Sequence, residues 1–140
     1  MAIPPEESTA WIQWQDWQAD KRAVDEWTQG DFAVDRVSWL IATVSNGGWI
    51  DVLANSCDGY LDAILSALND IGANETLGFL KQCIDRFPKG RLYNDVYERG
   101  KQIQSLSPQD RDFIDSLDDE FYASNEDICA MAMKYWREIR

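Results

Sequence analysis

Apolar residues recur at intervals of three and four positions along most of the chain, which is the spacing of one face of an α-helix. No segment alternates apolar and polar residues between turn pairs, as β-strands do. The sequence therefore predicts an all-α fold, a single compact domain of about six to eight helices. The predicted helices cover residues 8–29, 32–45, 60–71, 74–87 and 92–104, one that starts at Pro108, and a last one capped by Ser124 or Asn125.

Residues that start or stop helices mark several of these boundaries. Gly72 suits the left-handed position that follows a helix. Ser107 before Pro108 is the usual pair of N-cap and first helical residue. Ser8 and Thr9, which follow two prolines, are candidate N-caps of the first helix. In the last helix, periodicity predicts an inward face made of Ile128, Ala132, Tyr135 and Ile139.

Asn46, Gly47 and Gly48 separate two apolar stripes in the first half of the chain. Asparagine and glycine tolerate the left-handed backbone that ends a helix, and glycine lets two backbones pack closely. A phosphate-binding loop is disfavoured, because no basic residue lies within 37–80. We therefore predict a structural corner between two helices here.

A Trp-rich segment, residues 1–31, precedes the remainder of the domain, residues 32–140. Trp11, Trp14 and Trp17 stand three residues apart within it. An aromatic stripe at helical spacing belongs to a core, or it docks an amphipathic helix on a partner or a second subunit. Membrane binding is disfavoured because the flanking charges are acidic.

The charge balance limits the possible partners. The 140 residues hold 25 acidic and 13 basic side chains, for a net charge of −12. Nucleic acids repel such a chain, because their affinity for proteins comes largely from Lys and Arg. The negative charge favours a basic protein as partner. The alternative is that the acidity only keeps the protein soluble. With no signal peptide and no long apolar run, we expect a soluble cytoplasmic protein that binds no membrane.

The chain lacks the residue types that most enzymes depend on. Histidine is absent, so a Ser-His-Asp or Cys-His triad is impossible. Cys57, Cys83 and Cys129 form no C-x-x-C pair, which argues against zinc and favours buried thiols. We expect no catalytic residue, metal or cofactor. A hydrolase that uses carboxylates alone is the remaining enzyme hypothesis.

Acidic residues are concentrated between residues 108 and 127, where only Arg111 opposes them. On a helix, Asp112, Asp115, Asp119 and the outward side of Asp118 would lie opposite the apolar residues. A carboxylate array of this kind would bind a basic partner, and the alternative is an ordinary solvated face. The full candidate set is Asp110, Asp112, Asp115, Asp118, Asp119, Glu120, Glu126 and Asp127.

Three stretches carry a family resemblance: VSNGGWIDVLANSCDGYLDAILSALNDIGA, LGFLKQCIDRFP and LDDEFYASNEDICAMAMKYWREI. Together they resemble a bacterial family of small acidic proteins, the DNA-mimic protein family, over roughly residues 32–140. The shared features are an Asn-Gly-Gly-aromatic turn, a helix ending in Ile-Gly-Ala, and an acidic-aromatic stretch before a final helix. Trp49 stands where other members often have Phe, and the Trp-rich segment has no counterpart. The resemblance implies an all-helical fold, frequent self-association as a homodimer, and imitation of DNA toward a DNA-binding protein.

Several functional hypotheses follow. The first is a non-enzymatic acidic inhibitor that blocks the nucleic-acid site of a basic protein such as a transcription factor, and so regulates transcription. The second is an immunity protein that neutralises a basic toxin nuclease. The third is the carboxylate hydrolase, which requires two carboxylates in unlike environments across a cleft. An uncharacterised helical interaction domain is what would remain if the acidic array has no function.

Overall fold

The computed structural model describes residues 9–20 and 23–139, and in these ranges the protein contains helices and no strand. This confirms the predicted all-α fold. No helix in these ranges is long and apolar enough to cross a membrane. The helices are α1 (Thr9–Ala19), α2 (Gln29–Asn55), α3 (Tyr60–Asp70), α4 (Asn74–Ile84), α5 (Val96–Gln104), α6 (Pro108–Ala123) and α7 (Ile128–Ile139), with 3-10 turns at Val24–Glu26 and Pro88–Gly90.

Helix α2 is the central element, and α3, α5, α6 and α7 all contact it. Its second half carries Trp49, which is fully buried and meets the ring of Phe121 from α6 edge to face at 5.5 Å. Burial of aromatic and aliphatic side chains at about 25 cal/mol per Å² is the main stabilising contribution in such a core. The core is therefore built around α2, with α6 and α7 packed against it.

The first predicted helix, over residues 8–29, ends earlier than its periodicity indicated. Helix α1 stops at Ala19, and α2 begins only after Thr28. Thr28 and Asp31 form a capping box, in which each side chain accepts a hydrogen bond from the other residue's backbone N–H. This reciprocal cap starts a new helix, because it satisfies N–H groups that lack partners within the helix.

Helix α5 has few apolar residues and is attached to α2 through an arginine. The side chain of Arg99 is almost fully buried and donates from Nη1 to the backbone oxygen of Leu53 at 2.6 Å and to Ser56 Oγ at 3.2 Å. Its Nε donates to the backbone oxygen of Tyr93 at 2.6 Å. Arg99 thereby satisfies a carbonyl at the end of α2, which has no intrahelical donor.

Helix α7 differs from its prediction in both its cap and its inward face. Asp127, rather than Ser124 or Asn125, accepts a hydrogen bond from the first turn, at 3.0 Å from the N–H of Ala130. Tyr135 is only partly buried and Ile139 is exposed, so the predicted face was wrong at these two positions. The residues that this helix buries are Ile128, Cys129, Ala132, Met133 and Trp136.

Candidate functional site

The exposed face of α6 carries four carboxylates, which we call the acidic row. Asp112, Asp115 and Asp119 follow one another at helical spacing, and Glu120 flanks them. The opposite face of the helix buries Ile114, Leu117 and Phe121 in the core. The row is therefore held on a helix whose position is fixed by packing. Its members are Asp112, Asp115, Asp119 and Glu120, all exposed.

The acidic row is largely free of compensating positive charge. Arg111 lies 3.6 Å from Asp115 in an i,i+4 ion pair, and both side chains are about half exposed. Exposed pairs of this kind contribute only about 0–1 kcal/mol, because water and salt screen them. Among the described residues, Asp112, Asp119 and Glu120 have no ionic partner. The row therefore keeps most of its negative charge.

Asp118 lies apart from the row, at the corner in α2. Its Oδ1 accepts a hydrogen bond from the backbone N–H of Trp49 at 2.8 Å, and the Trp49 indole donates to the backbone oxygen of Leu117 at 3.1 Å. Burial raises the pKa of Asp118, the Trp49 hydrogen bond opposes that shift, and the charges of Asp115 and Asp119 add to it. Asp118 therefore serves the fold by joining α6 to the corner.

The corner itself is formed by Gly48, where the helical backbone of α2 is interrupted. Gly48 has φ 78° and ψ −174°, a conformation that only glycine adopts readily. A Cβ atom at Gly48 would lie 2.8 Å from Cγ of Asp118, and one at Gly47 would collide with the carboxylate of Asp51. Carboxylates thus flank the turn on both sides, an arrangement that would repel a bound anion.

Glu126 and Asp127, which follow α6, cap the first turns of other helices. Glu126 accepts hydrogen bonds from the backbone N–H groups of Glu75 and Thr76, at 3.0 and 2.8 Å, and from the Thr76 hydroxyl at 2.7 Å. Asp127 caps α7 through Ala130. Negative charge at a helix N-terminus is stabilised by the helix dipole. Both carboxylates are only partly exposed.

Asp110 is the one remaining member of the predicted set. It is partly buried and lies 3.4 Å from the guanidinium of Arg86. That guanidinium also stacks 3.6 Å from the centre of the Phe113 ring. The structure thus divides the eight predicted acids into a four-residue exposed row, three capping or corner residues, and Asp110 in an ion pair.

Trp14 and Trp17 of α1 pack against the protein's own core. Trp14 donates from its indole to the hydroxyl of Ser38 at 2.9 Å, and Trp17 donates to Asp31 at 3.1 Å. Both side chains are partly buried. The third predicted aromatic, Trp11, has a side chain outside the described residues. For Trp14 and Trp17, the contacts favour the core interpretation over a partner interface.

Asp31 is a buried carboxylate that lies outside the predicted acidic set. Its Oδ1 accepts hydrogen bonds from the indoles of Trp17 and Trp136, at 3.1 and 3.0 Å, and Oδ2 accepts from the backbone and hydroxyl of Thr28. Burial alone would raise the pKa of Asp31, but these hydrogen bonds outweigh it and the pKa is lowered. The capping-box pattern Thr28-x-x-Asp31 is the local signal that could have identified it.

The described residues contain no cluster of three His, Cys, Asp or Glu side chains able to hold a metal ion. Cys83 and Cys129 are buried free thiols, and burial raises their pKa values to about 12 and about 11. Cys57, also a free thiol, is only partly buried, in contrast to the prediction that all three are buried. The thiols of Cys83 and Cys129 stay protonated at neutral pH, so these two residues are poor nucleophiles.

One family model matches this chain, over residues 25–139, and its description is DMP19-like protein. The match includes α2 to α7 together with the acidic row, and it begins after α1. No curated protein and no solved structure matches the chain.

Proposed function

This chain belongs to the DMP19-like protein family, and we propose that it is a non-enzymatic DNA mimic that binds a basic DNA-binding protein at its nucleic-acid site. The observation that carries this proposal is the acidic row of α6, three of whose four carboxylates have no ionic partner among the described residues. Rows of uncompensated carboxylates attract Lys and Arg side chains that otherwise contact phosphates.

The spacing of the acidic row supports mimicry of a phosphate backbone. Residues in an α-helix rise by about 1.5 Å each, so four charges between Asp112 and Glu120 are spread over about 12 Å. This is about one charge per 3–4 Å, and a single DNA strand carries one charge per about 3.4 Å of axis. The row therefore resembles one strand of a duplex in its density of charge.

The rigidity of α6 also supports this function. Trp49 contacts this helix through two hydrogen bonds, to Asp118 and to the backbone of Leu117, and through the ring of Phe121. A charged surface that is ordered before binding loses little conformational entropy on association. This is an advantage for a protein that must compete with DNA for a partner.

The proposal is tested by capturing basic partners from a lysate of the native cell at low and at high salt, and by competing the captured protein with duplex DNA. We expect binding that weakens steeply with salt and excludes DNA. A triple variant, Asp112→Asn with Asp119→Asn and Glu120→Gln, should lose at least tenfold in affinity. The matched control removes the same charge elsewhere, with Asp16→Asn, Asp70→Asn and Glu138→Gln, at three exposed positions outside α6.

Two results would contradict DNA mimicry: binding that is insensitive to salt, or a partner that binds this protein and DNA simultaneously. If the captured partner is a toxin nuclease and co-expression protects cells, the chain is an immunity protein instead. Self-association, which the family resemblance implied, is a separate proposal that sedimentation equilibrium measures directly.

A further inference from the structure

A cationic groove lies between the α4–α5 connection, α5 and the start of α6, and it stands out on a protein of net charge −12. Four basic side chains and two acidic ones line this groove, whose volume is about 590 Å³. Its local charge is therefore opposite in sign to that of the whole chain. The charged lining residues are Arg86, Lys89, Arg91, Lys101, Glu98 and Asp110.

Two of the four cations in the cationic groove are already paired. Arg86 lies 3.4 Å from Asp110, and Lys101 lies 3.4 Å from Glu98. Within residues 9–20 and 23–139, no carboxylate lies within ion-pair distance of Lys89 or Arg91. Lys89 and Arg91 stand two positions apart in the chain, and both line the groove. They leave two positive charges available to an anion.

The backbone that carries these two cations is held in a defined conformation. The amide of Gln102 accepts from the N–H of Tyr93 at 2.8 Å and donates to the backbone oxygen of Arg91 at 3.0 Å. Lys89 has φ 62°, a left-handed conformation that side-chain-bearing residues rarely adopt. Such residues concentrate at ligand sites, where the surrounding structure maintains them. The two Gln102 hydrogen bonds therefore fix the backbone at Arg91 and Tyr93.

An exposed aromatic ring borders the same groove. Tyr93 lines it and is 51% exposed, although its backbone is fixed by Gln102. Aromatic rings beside basic side chains are the usual combination for binding a base together with its phosphates. Ligand pockets of about 300–1,000 Å³ hold molecules of this size.

We propose that the cationic groove binds a nucleotide, with its phosphates on Lys89 and Arg91 and its base on the ring of Tyr93. Arg86, held by Asp110 and by the Phe113 ring, and Lys101 provide further positive charge at the groove wall. The cationic groove and the acidic row share no residue. The nucleotide proposal therefore does not depend on the proposed DNA mimicry.

The proposal is tested by isothermal titration calorimetry of the full-length protein at about 0.15 M ionic strength, at which surface charges are screened beyond about 8 Å. The probes are ATP, inorganic tripolyphosphate, adenosine and hexaglutamate. We expect ATP to bind most tightly, tripolyphosphate more weakly, and adenosine and hexaglutamate least. This order separates the contributions of phosphate, of the base and of charge alone.

Two pairs of variants locate the site. Lys89→Gln with Arg91→Gln should weaken ATP binding at least about tenfold, and Lys81→Gln with Lys134→Gln is the control at two exposed lysines outside the groove. Tyr93→Ala should weaken ATP about tenfold but leave tripolyphosphate unchanged. Tyr97→Ala is its control, since Tyr97 is 76% exposed and does not line the groove. Circular dichroism melts establish that each variant is folded.

Several results would overturn the proposal. They are an absence of ATP binding at millimolar concentration, equal affinity of ATP for the Lys89/Arg91 variant and the wild type, equal affinity for tripolyphosphate and ATP, or tighter binding of hexaglutamate than of ATP. The last result would assign the groove to an acidic peptide instead.

Discussion

Asp118 accepts a hydrogen bond at 2.8 Å from the backbone N–H of Trp49, a residue 69 positions earlier in the chain. The bond joins the outer helix that carries the acidic row to the corner in the central helix. It also satisfies an N–H at the point where Gly48 interrupts α2. One carboxylate thus stabilises the corner and sets the position of the neighbouring exposed charges.

Replacement of Asp118 by alanine should destabilise the protein by about 1–3 kcal/mol, because the partly buried N–H of Trp49 would lose its acceptor. Asp118→Asn keeps an oxygen acceptor and should cost less. Urea denaturation followed by circular dichroism measures both. The control is Asp119→Ala, next in sequence and exposed. Equal stability of Asp118→Ala and the control would show that the hydrogen bond contributes nothing.

Gly48→Ala should destabilise the protein by at least about 1–3 kcal/mol, since the conformation at Gly48 is essentially restricted to glycine. The added methyl would also meet the Asp118 carboxylate. Gly100→Ala is the matched control: Gly100 lies inside α5, and nothing stands within 4 Å of its added Cβ. It should be neutral or stabilising by up to about 1 kcal/mol. Thermal melts compare the two, and a stable Gly48→Ala would contradict the described corner.

Asp31→Asn should destabilise the protein by about 2 kcal/mol at neutral pH, because hydrogen bonds to a charged acceptor are stronger than those to an amide. The pKa of Asp31 is lowered from 3.8, so its contribution is fully present above that value. It is lost as the pH falls through the lowered pKa of the folded state. Denaturant unfolding from pH 7 to pH 2 should therefore show the stabilities of wild type and Asp31→Asn converging at low pH. A difference that is constant over this range would argue against the ionised carboxylate as its source.

Removing one charge from the acidic row should stabilise the isolated protein slightly. Asp115 and Asp119 stand at i and i+4, where like charges cost about 0.2–0.5 kcal/mol. Asp119→Asn should therefore raise the unfolding free energy by a few tenths of a kcal/mol in low salt, and 1 M salt should remove the gain. Scanning calorimetry at the two salt concentrations measures this. A gain that persists in high salt would have another origin than repulsion.

Much of the helical layout could be predicted because it depends on local periodicity and on capping residues. The start of α6 follows from Ser107 and Pro108, and the exposure of Asp112, Asp115 and Asp119 follows from the apolar residues on the opposite face. These features depend on spacings of three and four along one helix. They need no knowledge of the tertiary structure.

The internal use of Asp118 and Glu126 could not be predicted in this way. Their partners lie 69 and about 50 positions away, so nothing in the neighbouring sequence identifies them. Asp127 differs, because aspartate is a favoured N-cap and its helix begins at the next residue. The cationic groove is also a tertiary feature, since it assembles basic residues from the α4–α5 connection and from α5 around the start of α6.

The sharing of one Asp31 oxygen by the indoles of Trp17 and Trp136 has a practical consequence. Trp17 belongs to the N-terminal helix and Trp136 to the C-terminal one, so their fluorescence reports on the same carboxylate from two ends of the chain. The chain has seven tryptophans, so the contribution of each of these two is obtained as the difference between the spectrum of the wild type and that of a Trp17→Phe or Trp136→Phe variant. Tryptophan fluorescence can therefore follow the separation of α1 from the core, and no external dye is needed.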